Sequence, residues 1–182
     1  MKQFFSRSML LAGVLGLTVA GMANATIITY YINANGAKEV SAAGVPNQGD
    51  PDGTAVGTVA LDNVAGSAII NLVLANLAYP LTGFHIHQAP ATTTGAIVLN
   101  FGNPETFRSG NNVSATVTGL STTTISSVFA DPTAFYFNLH NSVYPGGAVR
   151  DQLTVPEPAS FGLAAAGLLI ASLVRRRRAQ VS

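Results

Sequence analysis

The 182-residue chain has no cysteine, no tryptophan, only three histidines and only 9% charged residues. The missing cysteine excludes a disulfide framework, a thiolate nucleophile and a cysteine-ligated zinc site, so stability rests on packing alone. Basic residues are scarce where they would matter. Between positions 26 and 158 the cations are Lys38, Arg108 and Arg150, against eight Asp and Glu, a net charge of −5. That balance leaves no electrostatic footprint for nucleic acid. The chain shows no phosphate-cradling glycine loop, no Ser/His/Asp set and no paired carboxylates, so nothing in it argues for a hydrolase or a phosphotransferase. It also shows no solenoid period and no long amphipathic helix.

What is present is clearest at the two ends. Residues 1–25 run from Lys2 and Arg7 through an apolar stretch at 9–20 to Ala23, Asn24 and Ala25. This is the order of a secretory signal peptide, with cleavage by signal peptidase expected after Ala25. The other end, 155–182, begins with Val155, Pro156, Glu157 and Pro158, continues through an apolar segment at 159–174, and reaches Arg175, Arg176, Arg177 and Arg178. At about 1.5 Å per residue the apolar segment spans roughly 24 Å, a short transmembrane helix that crosses with local thinning of the bilayer. The arginines are expected to hold that side in the cytoplasm, leaving the folded part outside. The box, the short helix and the basic stop, in this order, resemble the PEP-CTERM sorting signal. That resemblance implies recognition by exosortase, a membrane transpeptidase that cuts near the box.

The middle, 26–154, is long enough for one hydrophobic core. Runs rich in β-branched and aromatic residues fall at 26–34, 53–61, 67–77, 83–87, 95–101, 112–120, 134–141 and 148–155, separated by Gly, Pro, Asn and Asp turns. The polar stretch 41–52 reads as a surface loop, with Lys38 and Glu39 a solvated pair beside it. Residues 122–130 fit either a short helix or a strand, closed by Asp131 and Pro132. Seven to nine short strands predict an all-β domain, a single antiparallel β-sandwich or barrel.

Chemistry concentrates on the histidines. In a strand, alternate side chains share a face, so His85 and His87 stand opposite Phe84 and Ile86, and His140 stands with Tyr136 and Asn138 opposite Phe135, Phe137 and Leu139. If the two strands are neighbours, three imidazoles converge. Three nitrogen ligands suit copper or zinc and leave a coordination position open. The alternative is that all three are surface or hydrogen-bonding residues. Arg150 invites either a structural bond, for example to Asp151 or Glu105, or a contact with an anion near the histidines.

The segments GFHIHQAP (83–90), GAIVLNFG (95–102) and FYFNLHNSVYPGGAVRDQL (135–153) resemble the signature blocks of the CHRD domain, first named from chordin. The stretch GAKEVSAAG (36–44) is similar to that family's opening block, Glu39 and Val40 matching its Glu-Val pair. The chain departs from the pattern at Ala148, where the family usually has Glu, and at Asp151, where it usually has Gly. The resemblance implies an immunoglobulin-like or dismutase-like Greek-key sandwich and no firmly shared activity. Residues 83–87 are also similar to the Gly-Phe-His-Val-His strand of copper/zinc superoxide dismutase. The second histidine cluster and the cysteine pair of that enzyme are missing, so a complete two-metal site is not expected.

Two functions follow as expectations. One is an exported, non-catalytic module of the cell envelope or extracellular matrix, sorted through its tail, with a polysaccharide or matrix partner. The other is a mononuclear copper or zinc protein built on His85, His87 and His140, redox-active in one variant and strand-clamping in another.

Overall fold

A computed structural model describes residues 26–154. The leader with Ala25, the sorting box, the apolar segment 159–174 and the four arginines lie outside them. Among the described residues no helix is long and apolar enough to cross a membrane.

The domain is all-β. Its strands are β1 (Ile27–Asn35), β2 (Thr54–Asp62), β3 (Ser67–Ala75), β4 (Leu81–Gln88), β5 (Ala96–Asn100), β6 (Arg108–Ser109), β7 (Asn112–Val117), β8 (Phe135–Asn141) and β9 (Val149–Gln152). The single α-helix among the described residues, α1 (Thr122–Ala130), joins β7 to β8. The ambiguous 122–130 segment is helical because Ser121 caps it, accepting from the Thr124 amide at 3.2 Å. Ile125 and Val128, three apart, then fall on one buried face.

β3 shows how the sequence writes a strand. Ala68, Ile70, Leu72 and Leu74 are buried while the residues between them face outward. Each fully buried Leu or Ile contributes roughly 1.5–3 kcal/mol, which locks the register, since a one-residue slip would turn the whole set to water. The β2–β3 turn is held by Asp62, whose Oδ1 accepts from the amides of Val64 and Ala65 at 2.8 Å each.

All nine strands belong to one antiparallel sheet, ordered β5-β4-β8-β9-β1-β2-β3-β7-β6. This differs from two separately bonded layers. The halves β5-β4-β8-β9 and β1-β2-β3-β7-β6 are joined where β9 meets β1 through one register pair, Asn35 opposite Arg150. The sheet curls there, because apolar side chains of both halves, among them Ile32, Val59 and Ile70 with Phe84, Ile86 and Phe137, pack into one cluster. The result is sandwich-like, a sheet folded onto its own inner face.

A candidate metal centre on the outer face of β4 and β8

Register fixes what the outer face of the second half presents. Across β4, β8 and β9, His85 lies opposite Asn138 and Asn138 opposite Arg150; His87 lies opposite Tyr136 and Tyr136 opposite Gln152. His140 lies opposite Gly83. The diagonal offsets bring the three imidazoles together, with ring centroids 5.0 Å apart for His85 and His140, 5.6 Å for His85 and His87, and 5.8 Å for His87 and His140. One nitrogen from each ring lies within 4.8 Å of those of the other two.

Gly83 is part of this geometry. A Cβ built there would lie 2.6 Å from His85 Cε1 and 3.0 Å from Nε2, so the His85 ring lies over a strand position that has no side chain.

Carbonyls set two of the tautomers. His87 Nδ1 is 2.9 Å from the Gly95 oxygen, and His140 Nδ1 is 3.0 Å from that of Pro145. A carbonyl only accepts, so each Nδ1 carries the proton and each Nε2 keeps its lone pair. His87 Nε2, His140 Nε2 and His85 Nδ1 are buried with no hydrogen-bond partner among the described residues. Leaving a buried polar atom unpaired costs roughly 1–3 kcal/mol, and three such atoms in one cluster fit a shared ligand.

Burial lowers the proton affinity of all three rings. His85 is pushed down from 6.5 to about 4, first by desolvation and then by its neighbours His140 and His87. His87 and His140 are lowered by desolvation as well, against the opposing pull of their carbonyl bonds. Neutral imidazoles are the form that binds a metal. Bonds of about 2.0–2.1 Å put two ligand nitrogens at most about 4.2 Å apart, so ligation closes any wider pair by ring rotation. The donor set therefore fits copper or zinc.

Tyr136 and Arg150 brace the rings from one side. Tyr136 stacks on His87, 4.8 Å between centroids and 10° between planes. Arg150 also stacks on the Tyr136 ring, with its guanidinium carbon 3.5 Å from the centroid. Arg150 is fully buried. It donates to the carbonyls of Thr93 (2.9 Å) and Pro90 (2.8 Å) and to Gln152 Oε1 (3.3 Å). It thus pins the β4–β5 loop, whose last residue Gly95 orients His87 and donates its own amide to Tyr136 Oη at 3.3 Å. Asp151 and Glu105, the partners considered for Arg150 from sequence, instead pair with Lys38 at 2.7 Å and Arg108 at 2.8 Å.

The expected solvated pair Lys38 and Glu39 is corrected. Glu39 is only 2% exposed and turns inward, while Lys38 reaches out to Asp151. The 3-10 turn Gly36–Lys38 separates their directions. Glu39 Oε2 accepts from Asn138 Nδ2 at 2.8 Å, and Oε1 lies 4.0 Å from Arg150. Desolvation raises its proton affinity, opposed by the Val40 amide, Asn138 and Arg150. Gly147, at φ 139°, leaves the room Glu39 occupies, since a Cβ there would collide with Glu39 Oε2 and Asn138 Nδ2. Ala148, the departure from the family's Glu, is fully buried in the apolar cluster. The buried carboxylate near the histidines is therefore Glu39, and its only sequence signal was the Glu-Val pair in the opening block.

Comparison with known families matches residues 30–153 to the CHRD domain and residues 154–178 to the PEP-CTERM protein-sorting motif. Neither the curated proteins nor the solved structures give a match. The sorting motif is an exosortase signal and marks an exported protein. With the domain match spanning most of its length, the chain belongs to the CHRD-domain family.

Proposed function

We propose that this protein is an exported CHRD module that holds a single copper or zinc ion on His85 Nδ1, His87 Nε2 and His140 Nε2. It is released to the cell envelope or extracellular matrix after signal peptidase cuts at Ala25 and exosortase processes its tail. One observation carries the metal reading: three clustered imidazoles each keep one buried nitrogen without a hydrogen-bond partner. Copper would supply a one-electron couple there, and zinc a Lewis acid. The chain's own part is positional. The Gly95 and Pro145 carbonyls hold two rings by their protonated nitrogens, the Arg150–Tyr136 stack braces His87, and Gly83 admits His85. The dismutase-like reading of the scaffold rests on the His85 and His87 strand and the sandwich-like curl.

Elemental analysis of the chain purified after growth with copper and zinc tests this reading. One ion per chain is expected, lost in His85→Ala and His140→Ala. A correctly folded wild-type chain without stoichiometric metal overturns it.

A second reading concerns the ion's purpose. Because the ligands come from neighbouring strands β4 and β8, the ion also serves as a clamp. A melting temperature that rises with metal, without turnover, would identify a purely structural role.

A further inference from the structure

Beside the histidine cluster lies a cleft of about 530 Å³ whose lining includes Glu39, Gln48, His87 and Tyr136. Its size falls within the range of roughly 300–1,000 Å³ usual for small-ligand sites. Gly95 and Pro145, whose carbonyls orient His87 and His140, form part of its wall. A molecule in this cleft therefore touches one proposed metal ligand directly and, through the wall, the supports of two.

The chemistry of the lining is one-sided. It contains the buried carboxyl of Glu39 and no Lys or Arg. Lys38 is bound to Asp151 and Arg108 to Glu105, while Arg150, held by the Pro90 and Thr93 carbonyls beneath the Tyr136 ring, lies 4.0 Å from Glu39 Oε1. Glu39 Oε1 and Oε2 accept one bond each, from the Val40 amide and from Asn138. Each oxygen retains a second lone pair. A donor would find an acceptor.

We propose that this cleft is the ligand subsite of the metal centre, and that it takes a small uncharged compound that donates a hydrogen bond to Glu39. The proposal rests on the metal reading above and adds to it the route and the selectivity.

The test uses the copper-loaded full chain at pH 8, titrated with imidazole as the uncharged donor and azide as a ligand with no hydrogen to donate. Binding is followed by the copper absorption bands and electron paramagnetic resonance. Gly146 lines the cleft, and a Cβ there meets nothing within 4 Å, so Gly146→Trp is chosen to obstruct the cleft from a position where a side chain can start without a clash. This variant is expected to keep its copper and to weaken both probes by roughly ten-fold or more. Glu39→Gln, which keeps one of the two acceptor oxygens and loses the charge, is expected to weaken imidazole roughly ten-fold while azide shifts less. Copper bound normally with both probes unchanged in Gly146→Trp overturns the subsite, and equal shifts of both probes in Glu39→Gln overturn the selectivity. A wild-type chain that takes up no copper overturns the metal reading itself, and the subsite with it.

Discussion

The two halves of the sheet share one apolar core but treat their outer faces in opposite ways. On the β1-β2-β3-β7 half, Tyr31 is 78% exposed, Val73 58%, Ile69 52% and Val56 49%. Tyr31, Thr58, Asn71 and Ser114 form one row across this face, without charge. On the β4-β8-β9 half, His87, Tyr136, Asn138 and Arg150 are all buried although all are polar. β8 is covered on both sides, whereas β3 alternates strictly. The hydrophobic effect explains the first half: apolar residues face in, and whatever faces out is tolerated. It does not explain the second, where a guanidinium, a carboxyl and three imidazoles are held away from water at a cost. Such an arrangement persists where the groups satisfy one another or a ligand.

The largest expected contrast is in stability. Arg150→Met leaves the Pro90 and Thr93 carbonyls without their donor and Tyr136 without its stacked cation. A loss of roughly 3 kcal/mol or more in denaturant unfolding is expected, in line with other broken buried polar networks. A cost below about 1 kcal/mol would mean that the buried face is no more demanding than the exposed one.

Gly83→Ala isolates the site from the fold. The added methyl forces the His85 ring from its place over the strand. Metal affinity in a competition titration should fall roughly 10- to 100-fold, while unfolding stability falls by less than about 2 kcal/mol. Equal affinity in the variant would show that His85 binds nothing where it lies.

Next comes acid. In the metal-free protein His85 titrates near 4 when folded and at the ordinary 6.5 when unfolded. Between those values the unfolded chain holds the extra proton, so stability is fully present above 6.5 and is lost as pH falls toward 4. Melting temperatures from pH 7 to 4 should decline, with a shallower slope in His85→Gln. A flat wild-type profile would contradict the desolvation of the cluster.

The smallest effect belongs to the exposed half. Tyr31→Thr and Val73→Thr should each change stability by no more than about 0.5 kcal/mol and leave metal content untouched. A larger loss, measured in the same denaturant series, would blur the difference between the faces.

Much of the fold was legible because period-two alternation and turn residues are local signals. The eight strand-like runs correspond to β1–β5 and β7–β9, with ends displaced by up to three residues. β6, two residues long, carries too little pattern to be read. Residues 122–130 were ambiguous because their β-branched content competes with the Ser121 cap, and helix won through the buried Ile125 and Val128 face. In the site, the shared faces of His85 with His87 and of Tyr136 with His140 followed from parity. Glu39 was misread, since a Lys-Glu pair beside a polar loop has the composition of a solvated surface. Its burial depends on Gly147 and Asn138, about a hundred positions later in the chain.

The sequence by itself determined that this is an exported all-β chain with a sorting tail, and that its histidines occupy chosen faces of two strands. Those properties reside in composition, order and a two-residue period. Only the tertiary structure decided that β4 and β8 are neighbours, that the sheet curls at Asn35 and Arg150, and that Arg150 closes a loop over Tyr136. Strand pairing and side-chain burial are contacts between residues far apart in the chain. They are chosen by which apolar faces meet in the core, and the unpaired nitrogens on the outer side follow from that choice.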